Sequence, residues 1–233
     1  VDDVLGTTMA VWAHPDDETY LSGGVLAALR DAGERAVCVT ATYGEAWDPS
    51  ADEATRELLA RTREAELADA LGELGVDEHH WLGHPDGRCA EVELDVPVAQ
   101  LRALLEEVRP ATVLTFGPEG FTGHPDHRAV SRWVELAVGE RTDVRVLHAV
   151  MTPEDHAAGA AVDERFGVYE LGEPRLVPRE ELDLRLELEG SLLRRKVAAL
   201  RHQWSQTGPI FEALGDEAFA RWVAVESFAE VSR

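Results

Sequence analysis

Short apolar runs alternate with longer amphipathic stretches along most of this chain. Residues 8–13 (Thr-Met-Ala-Val-Trp-Ala), 36–42 and 111–116 are continuous and apolar, the pattern of strands buried on both faces of a sheet. Val25, Leu26 and Leu29 share a helical face that ends near Gly33, so the opening reads as strand, helix, strand, a parallel βαβ unit. In residues 53–74, Leu58, Leu59, Ala65, Ala68 and Leu71 recur at three- and four-residue spacings before Gly75, which predicts a long helix. A short strand over 79–82, a helix over 96–108 stopped by Pro110, a helix over 125–138 and a strand over 144–151 follow. Residues 153–178 are acidic and without clear period, and read as an irregular excursion or lid. Residues 182–188 alternate as an edge strand does, and 191–204 read as a helix with Arg and Lys on one side. Without repeats or a linker, the expectation is one α/β domain over residues 1–233: a Rossmann-like three-layer sandwich with a mainly parallel sheet.

Composition narrows the partners. The 233 residues are 45% hydrophobic and 29% charged, a globular balance. Twenty-two basic against 45 acidic side chains give a net charge of −23, which repels nucleic-acid backbones and anionic membranes and suits a site that holds a cation. Cys38 and Cys89 are too few for a disulfide framework. No apolar stretch approaches the roughly 20 residues that span a bilayer, and the N-terminus lacks the basic and apolar regions of a leader. The expected location is cytoplasmic; homo-oligomerisation is left open.

Two motifs carry the chemistry. His14-Pro15-Asp16-Asp17-Glu18 follows the first strand, and His124-Pro125-Asp126-His127 follows the 111–116 strand after a glycine-rich loop. Ligands of open parallel sheets bind at the carboxyl ends of strands, where distant segments meet. His14 and Asp17, three apart across a strand-to-helix turn, can aim an imidazole and a carboxylate at one ion, with His127 as a third ligand. Two His and one carboxylate leave a position for water, the pattern of catalytic Zn²⁺, which lowers the pKa of its water to about 7. Asp16 is placed as general base, His124 as an imidazolium stabilising an oxyanion or protonating a leaving amine, and Asp126 as the group orienting His124. A single such motif is commonly a helix cap; the pair, with three His and three Asp, is what points to a site. A third His-Pro-Asp, at His84-Pro85-Asp86-Gly87, ends in glycine and reads as a turn at the rim.

The paired motifs resemble those of the LmbE-like/PIG-L family of zinc N-deacetylases: Ala13-His14-Pro15-Asp16-Asp17-Glu18 with Gly23-Gly24, then Gly123-His124-Pro125-Asp126-His127. Thr42-Tyr43-Gly44-Glu45, Arg63-Glu64-Ala65-Glu66, residues 82–87 and Glu226-Ser227-Phe228 are similar in family order. The resemblance implies hydrolysis of an N-acyl amide on an amino sugar, a small-molecule N-acetylglucosamine derivative or glycoconjugate, with the same five residues as ligands, base and electrostatic catalyst. It also implies that Arg63 and Asp86 hold sugar hydroxyls. The plainer readings are a surface pair of Arg63 with Glu66 and a turn role for Asp86. Some sugar deacetylases carry a tyrosine shortly before the second motif; here Phe121 and Thr122 stand there. The membrane-anchored branch of the family does not suit so acidic a chain without an apolar anchor. An amidase of the same chemistry acting on a thiol-conjugate or natural-product amide is the alternative. A non-catalytic metal-binding protein or a nucleotide-binding α/β protein is the other class; the latter wants a glycine-rich phosphate loop where His14–Glu18 stands. Loops 43–52, 84–95 and 153–178 are the expected pocket walls, with Trp47 and Phe166 as candidate stacking residues.

Overall fold

The computed structural model describes residues 5–47 and 50–231; residues 1–4 of the N-terminus, on which the absence of a leader was read, and residues 48–49 of the 43–52 loop lie outside them. Strands β1 (Thr8–Trp12), β2 (Ala36–Thr40) and β4 (Thr112–Phe116) are buried throughout, as continuous apolar runs require. With β3 (Glu78–Trp81), β5 (Arg145–Ala149), β6 (Leu184–Glu187) and β7 (Val225–Glu230) they form one seven-stranded sheet of order β3-β2-β1-β4-β5-β7-β6. All pairings from β3 to β5 are parallel; β7 runs antiparallel to both β5 and β6.

The order reverses between β1 and β4. Right-handed crossovers therefore send the helices after β1 and β2 to one face, and those after β3 and β4 to the other. Helices α1 (Asp17–Asp31), α2 (Glu53–Leu74) and α6 (Gly190–His202) pack together as one layer, and α3 (Asp95–Val108) packs on α4 (Pro125–Val138) in the other. The crevice at the carboxyl ends of β1 and β4 lies where the layers diverge, and both motifs open into it.

Local signals fix the ends. Asp52 caps α2 by accepting the Thr55 N–H at 2.9 Å, and Gly75 closes it at φ 79°. Pro125 sits in the first turn of α4. Gly24 on α1 is a place of close approach: a Cβ there would stand 2.3 Å from Leu188.

The second half differs from the expectation. Residues 153–178 are not irregular throughout: Pro153–Phe166 is helix α5, capped by the Thr152 hydroxyl on the Asp155 N–H. Its sequence lacks an apolar stripe because only Gly159 and Val162 are buried. The 191–204 helix ends at His202, and two further helices, α7 (Trp204–Leu214) and α8 (Asp216–Trp222), lead into β7. A buried ion pair joins that strand to α6, and its carboxylate also reaches α1. Glu226 accepts N–H bonds from Gly24 (2.7 Å) and Val25 (2.8 Å) and a 2.7 Å bond from Lys196 Nζ, which also donates to Tyr20 O. Cys38 and Cys89 are free and buried, and no helix among the described residues is long and apolar enough to cross a membrane.

Candidate active site

His14 lies two residues beyond β1, in the turn that starts α1. Its Nδ1 is 3.2 Å from His127 Nε2 and 3.5 Å from Asp17 Oδ2; His127 Nε2 is 3.4 Å from Asp17 Oδ1. Three side chains from two motifs thus close a triangle of contacts, with Asp17 turning one oxygen to each histidine, at separations close to those between ligands of a tetrahedral ion with bonds of about 2.0–2.2 Å. The other ring nitrogens have partners on the far side. His14 Nε2 is 3.0 Å from Asp86 Oδ1 and 3.4 Å from Asp126 Oδ2, so these carboxylates can keep a proton on Nε2 and leave Nδ1 to an ion. His127 Nδ1 lies 2.9 Å from Gly120 O, which takes its proton and frees Nε2. The Phe116 ring, stacked on His127 at 4.1 Å, fixes the imidazole plane.

The charges also ask for a cation. Burial alone would lower the His14 pKa, but Asp126, Asp17 and Asp86 hold it well above the ordinary value, while His14 and His127 outweigh burial to hold Asp17 below its own. A nest that drives a proton onto a buried imidazole offers the same field to a metal ion. The residues therefore fit a divalent ion, with further donors close by: nitrogens of His14, His124 and His127 lie within 4.8 Å of one another.

Asp16 is held apart from this triangle. Its φ of 123° is rare for a residue with a side chain and costs on the order of 1–3 kcal/mol. Two clamps maintain it. Glu18 Oε2 accepts the Asp16 N–H at 3.0 Å, and Glu18 is itself held by Thr19 Oγ1 (2.6 Å) and Gln203 Nε2 (2.5 Å). Arg63 donates to Pro15 O (2.5 Å), Gly44 O (3.0 Å) and Asp16 Oδ2 (3.2 Å). Gly44, at φ 69°, is obligatory: a Cβ there would fall 2.1 Å from Arg63 Nη1. Burial, with Asp17 and Glu18 adding to it and Arg63 opposing, pushes the Asp16 carboxyl up to about 7.

His124 is both cap and site residue. Its Nδ1 accepts the Asp126 N–H at 3.2 Å, so the ring proton sits on Nε2. Burial, then His14, lower its pKa. The imidazolium expected from the sequence would give up this cap bond.

Three expected partnerships are also redrawn. The Asp126 carboxylate does not orient His124; it accepts N–H bonds from Gly87 (2.7 Å) and Cys89 (3.0 Å) and turns to His14. Asp86 does belong to a turn, but the turn delivers it to His14, with its other oxygen on the Ala46 N–H at 2.7 Å. Both oxygens, expected to grip sugar hydroxyls, are engaged by protein. Arg63 pairs with Asp16 rather than Glu66, which bonds Ser205 instead; its buried Nε has no hydrogen-bond partner among the described residues. His84 of the same turn is not at the ion site: it bonds Gln100 at 2.8 Å and packs on Trp133.

His14, Asp16, Asp17, His124 and His127 line one cavity of about 900 Å³, together with Arg63, Asp86, Trp47 and the second-half helices. Trp47 is 70% exposed at its border. Phe166 is absent from the lining. The sequence reading missed Glu18, Gln203 and Tyr20. The Tyr20 hydroxyl is buried without a partner among the described residues, on a residue that borders the cavity, and its position one helical turn after Asp16 was the available signal.

The chain is similar to several known proteins. A 1D-myo-inositol 2-acetamido-2-deoxy-alpha-D-glucopyranoside deacetylase of Corynebacterium jeikeium is 33% identical over 86% of this chain and 77% of its own length. A protein of Bacillus cereus named "Probable N-acetyl-alpha-D-glucosaminyl L-malate deacetylase 2" is 29% identical over 94% and 95%. The solved N,N'-diacetylchitobiose deacetylase of Pyrococcus horikoshii shares the fold, with a TM-score of 0.64 at 18% identity over 98% of this chain and 85% of that one. The family model PIG-L: GlcNAc-PI de-N-acetylase matches residues 9–138, more than half of the chain, and the chain belongs to that family.

Proposed function

We propose that the protein is a zinc-dependent hydrolase that removes an N-acetyl group from an amino sugar or glycoconjugate. One observation carries the reading: a triangle of His14, His127 and Asp17 donors at the sheet's switch point, with Asp16 and His124 beside it and aimed into the same cavity. The names of the relatives, deacetylases of N-acetylated glucosamine derivatives, support the substrate class.

His14, Asp17 and His127 would hold the ion, which when bound supplies a positive charge that polarises an amide carbonyl and acidifies a water. Asp16, raised toward neutral pH by burial, takes the proton of the attacking water on its carboxylate and holds it close to the leaving nitrogen. Arg63 keeps that carboxylate in place and favours its ionised form against burial. His124 Nε2–H donates to the carbonyl oxygen as negative charge grows there. Asp86 and Asp126 hold His14 in the tautomer that leaves Nδ1 free.

The test is acetate release from N-acetylglucosamine derivatives, with zinc content measured before and after chelation. We expect acetate release that disappears with chelator and returns with added zinc. Turnover indifferent to chelator would overturn the metal reading, and turnover of bulkier amides without acetate release would move the protein to the amidase alternative.

A further inference from the structure

The floor of the cavity, where the two motifs meet, leaves a sugar few partners. Asp86 and Asp126 have both oxygens engaged by protein. Arg63 spends its terminal nitrogens on Pro15 O, Gly44 O and Asp16, and Thr122 Oγ1 lies 3.2 Å from His127 Nδ1. On the walls, Asp155 and Ser227 bond Arg185, and Gln206 bonds Ser205. An amino sugar brings hydroxyls as well as its amide, and a hydroxyl that loses water without gaining a partner weakens binding.

Tyr169 is placed differently. It is half-buried, lines the cavity, and donates its hydroxyl to Met151 Sδ at 2.9 Å. A thioether is a weak acceptor, so this bond is readily exchanged for one to an oxygen. Burial, with Asp163 and Glu173 adding to it, pushes the hydroxyl up, and it stays a donor at neutral pH. Residues 167–177 carry the ring to the second motif. Tyr169 N–H is held by Asp163 Oδ1 at 2.8 Å; farther on, Met151 N–H donates to Arg175 O (3.1 Å) and Val177 N–H to Met151 O (2.9 Å). Between these anchors the chain sits directly on Gly123, the residue before His124. A Cβ on Gly123 would fall 2.3 Å from Leu171 O, and one on Gly172 3.0 Å from Gly123 Cα. The ring itself packs between Phe121 at 6.3 Å and His156 at 5.3 Å. Backbone and ring are thus fixed, while the hydroxyl proton is free to turn about its C–O bond.

We infer that Tyr169 is a substrate-binding residue whose hydroxyl exchanges Met151 Sδ for a hydroxyl oxygen of the amino sugar when the amide reaches the floor. The inference rests on the hydrolase reading above and names a residue that selects its substrate. The exchange needs no movement of the ring, only a turn of the proton from sulfur to oxygen.

Two variants that break the same bond test this, on the zinc-loaded protein with the methyl glycoside of N-acetylglucosamine and its 3-, 4- and 6-deoxy analogues. Tyr169→Phe removes the donor and should raise KM for the parent sugar by about three- to tenfold, with kcat changed less. That penalty should vanish on one deoxy analogue, which identifies the oxygen. Met151→Leu removes only the resting acceptor, in a volume-conserving exchange, and should not raise KM, since the hydroxyl then has no partner to leave. Melting temperatures are measured for both. A KM raised in both variants makes the bond a structural one and overturns the inference. A Tyr169→Phe penalty of equal size on every sugar, or none on the parent, also overturns it. In each of these cases acetate release persists and the hydrolase reading stands. No turnover of any sugar by the unaltered protein overturns the hydrolase reading, and this inference falls with it.

Discussion

The floor and the wall of the cavity are built by different principles. The floor comes from loops after parallel strands β1, β2, β3 and β4, and nearly every polar atom in it has a protein partner. His14 is held on both ring nitrogens, Asp126 on both oxygens, and Asp16 by Arg63 and Glu18. The wall comes from α5, α7 and α8, presents few free polar atoms and is assembled across the antiparallel edge. The floor has one arrangement and is costly to disturb, as a preorganised polar site must be. The wall sets shape and tolerates exchange of apolar side chains.

Breaking the floor should therefore abolish chemistry. The largest effect is expected from Asp16→Asn: kcat lower by about 10²–10⁴ with zinc content unchanged, by steady-state kinetics and metal analysis. Retained activity would remove Asp16 from proton transfer. The seam between floor and wall comes next. Lys196→Met leaves Glu226 buried without its cation and should cost about 3–5 kcal/mol in denaturant unfolding, more than the paired change Lys196→Met with Glu226→Gln.

Smaller effects probe what supports each side. Asp126→Asn should weaken zinc affinity by about 10–100-fold through His14, read by competition with a chelator, with kcat at saturating zinc less affected. On the wall, burial pushes the Asp155 carboxyl up, but bonds from Arg185 and Thr152 outweigh this and hold it below the ordinary carboxylate value. A carboxyl lower in the folded than in the unfolded state stabilises above its unfolded pKa, about 3.9, and loses that contribution as pH falls through the folded value. The deficit of Asp155→Asn in urea unfolding should thus be largest at neutral pH and shrink in acid. A deficit constant from pH 7 to pH 2 would remove the ion pair as its source.

The same division explains what the sequence disclosed. The floor was legible because buried parallel strands are continuous apolar runs, and because the two motifs stand directly at their ends. The capping alternative for such a motif and the site reading also meet at one residue, since His124 caps α4 and lines the cavity. Asp86 was harder: only the fold shows that a turn after β3 reaches a histidine after β1. The wall was not legible. Helix α5 faces a cavity instead of a core and so carries no apolar stripe, Pro209 interrupts the pattern of α7, and β7 hides a buried Glu whose partner sits on another helix. Arg63 and Glu18 read as ordinary helix charges because their burial depends on partners far along the chain.

Glu226 sits 202 residues after Gly24, to which it is bonded. A contact of that span forms against a large loop-closure entropy and belongs to the late stages of folding. During synthesis the parallel strands and both histidine motifs emerge well before β7. The helix that begins beside Asp16 stays untethered at its middle until the final strand slides between β5 and β6, so the nascent protein carries both motifs long before it can hold them in register.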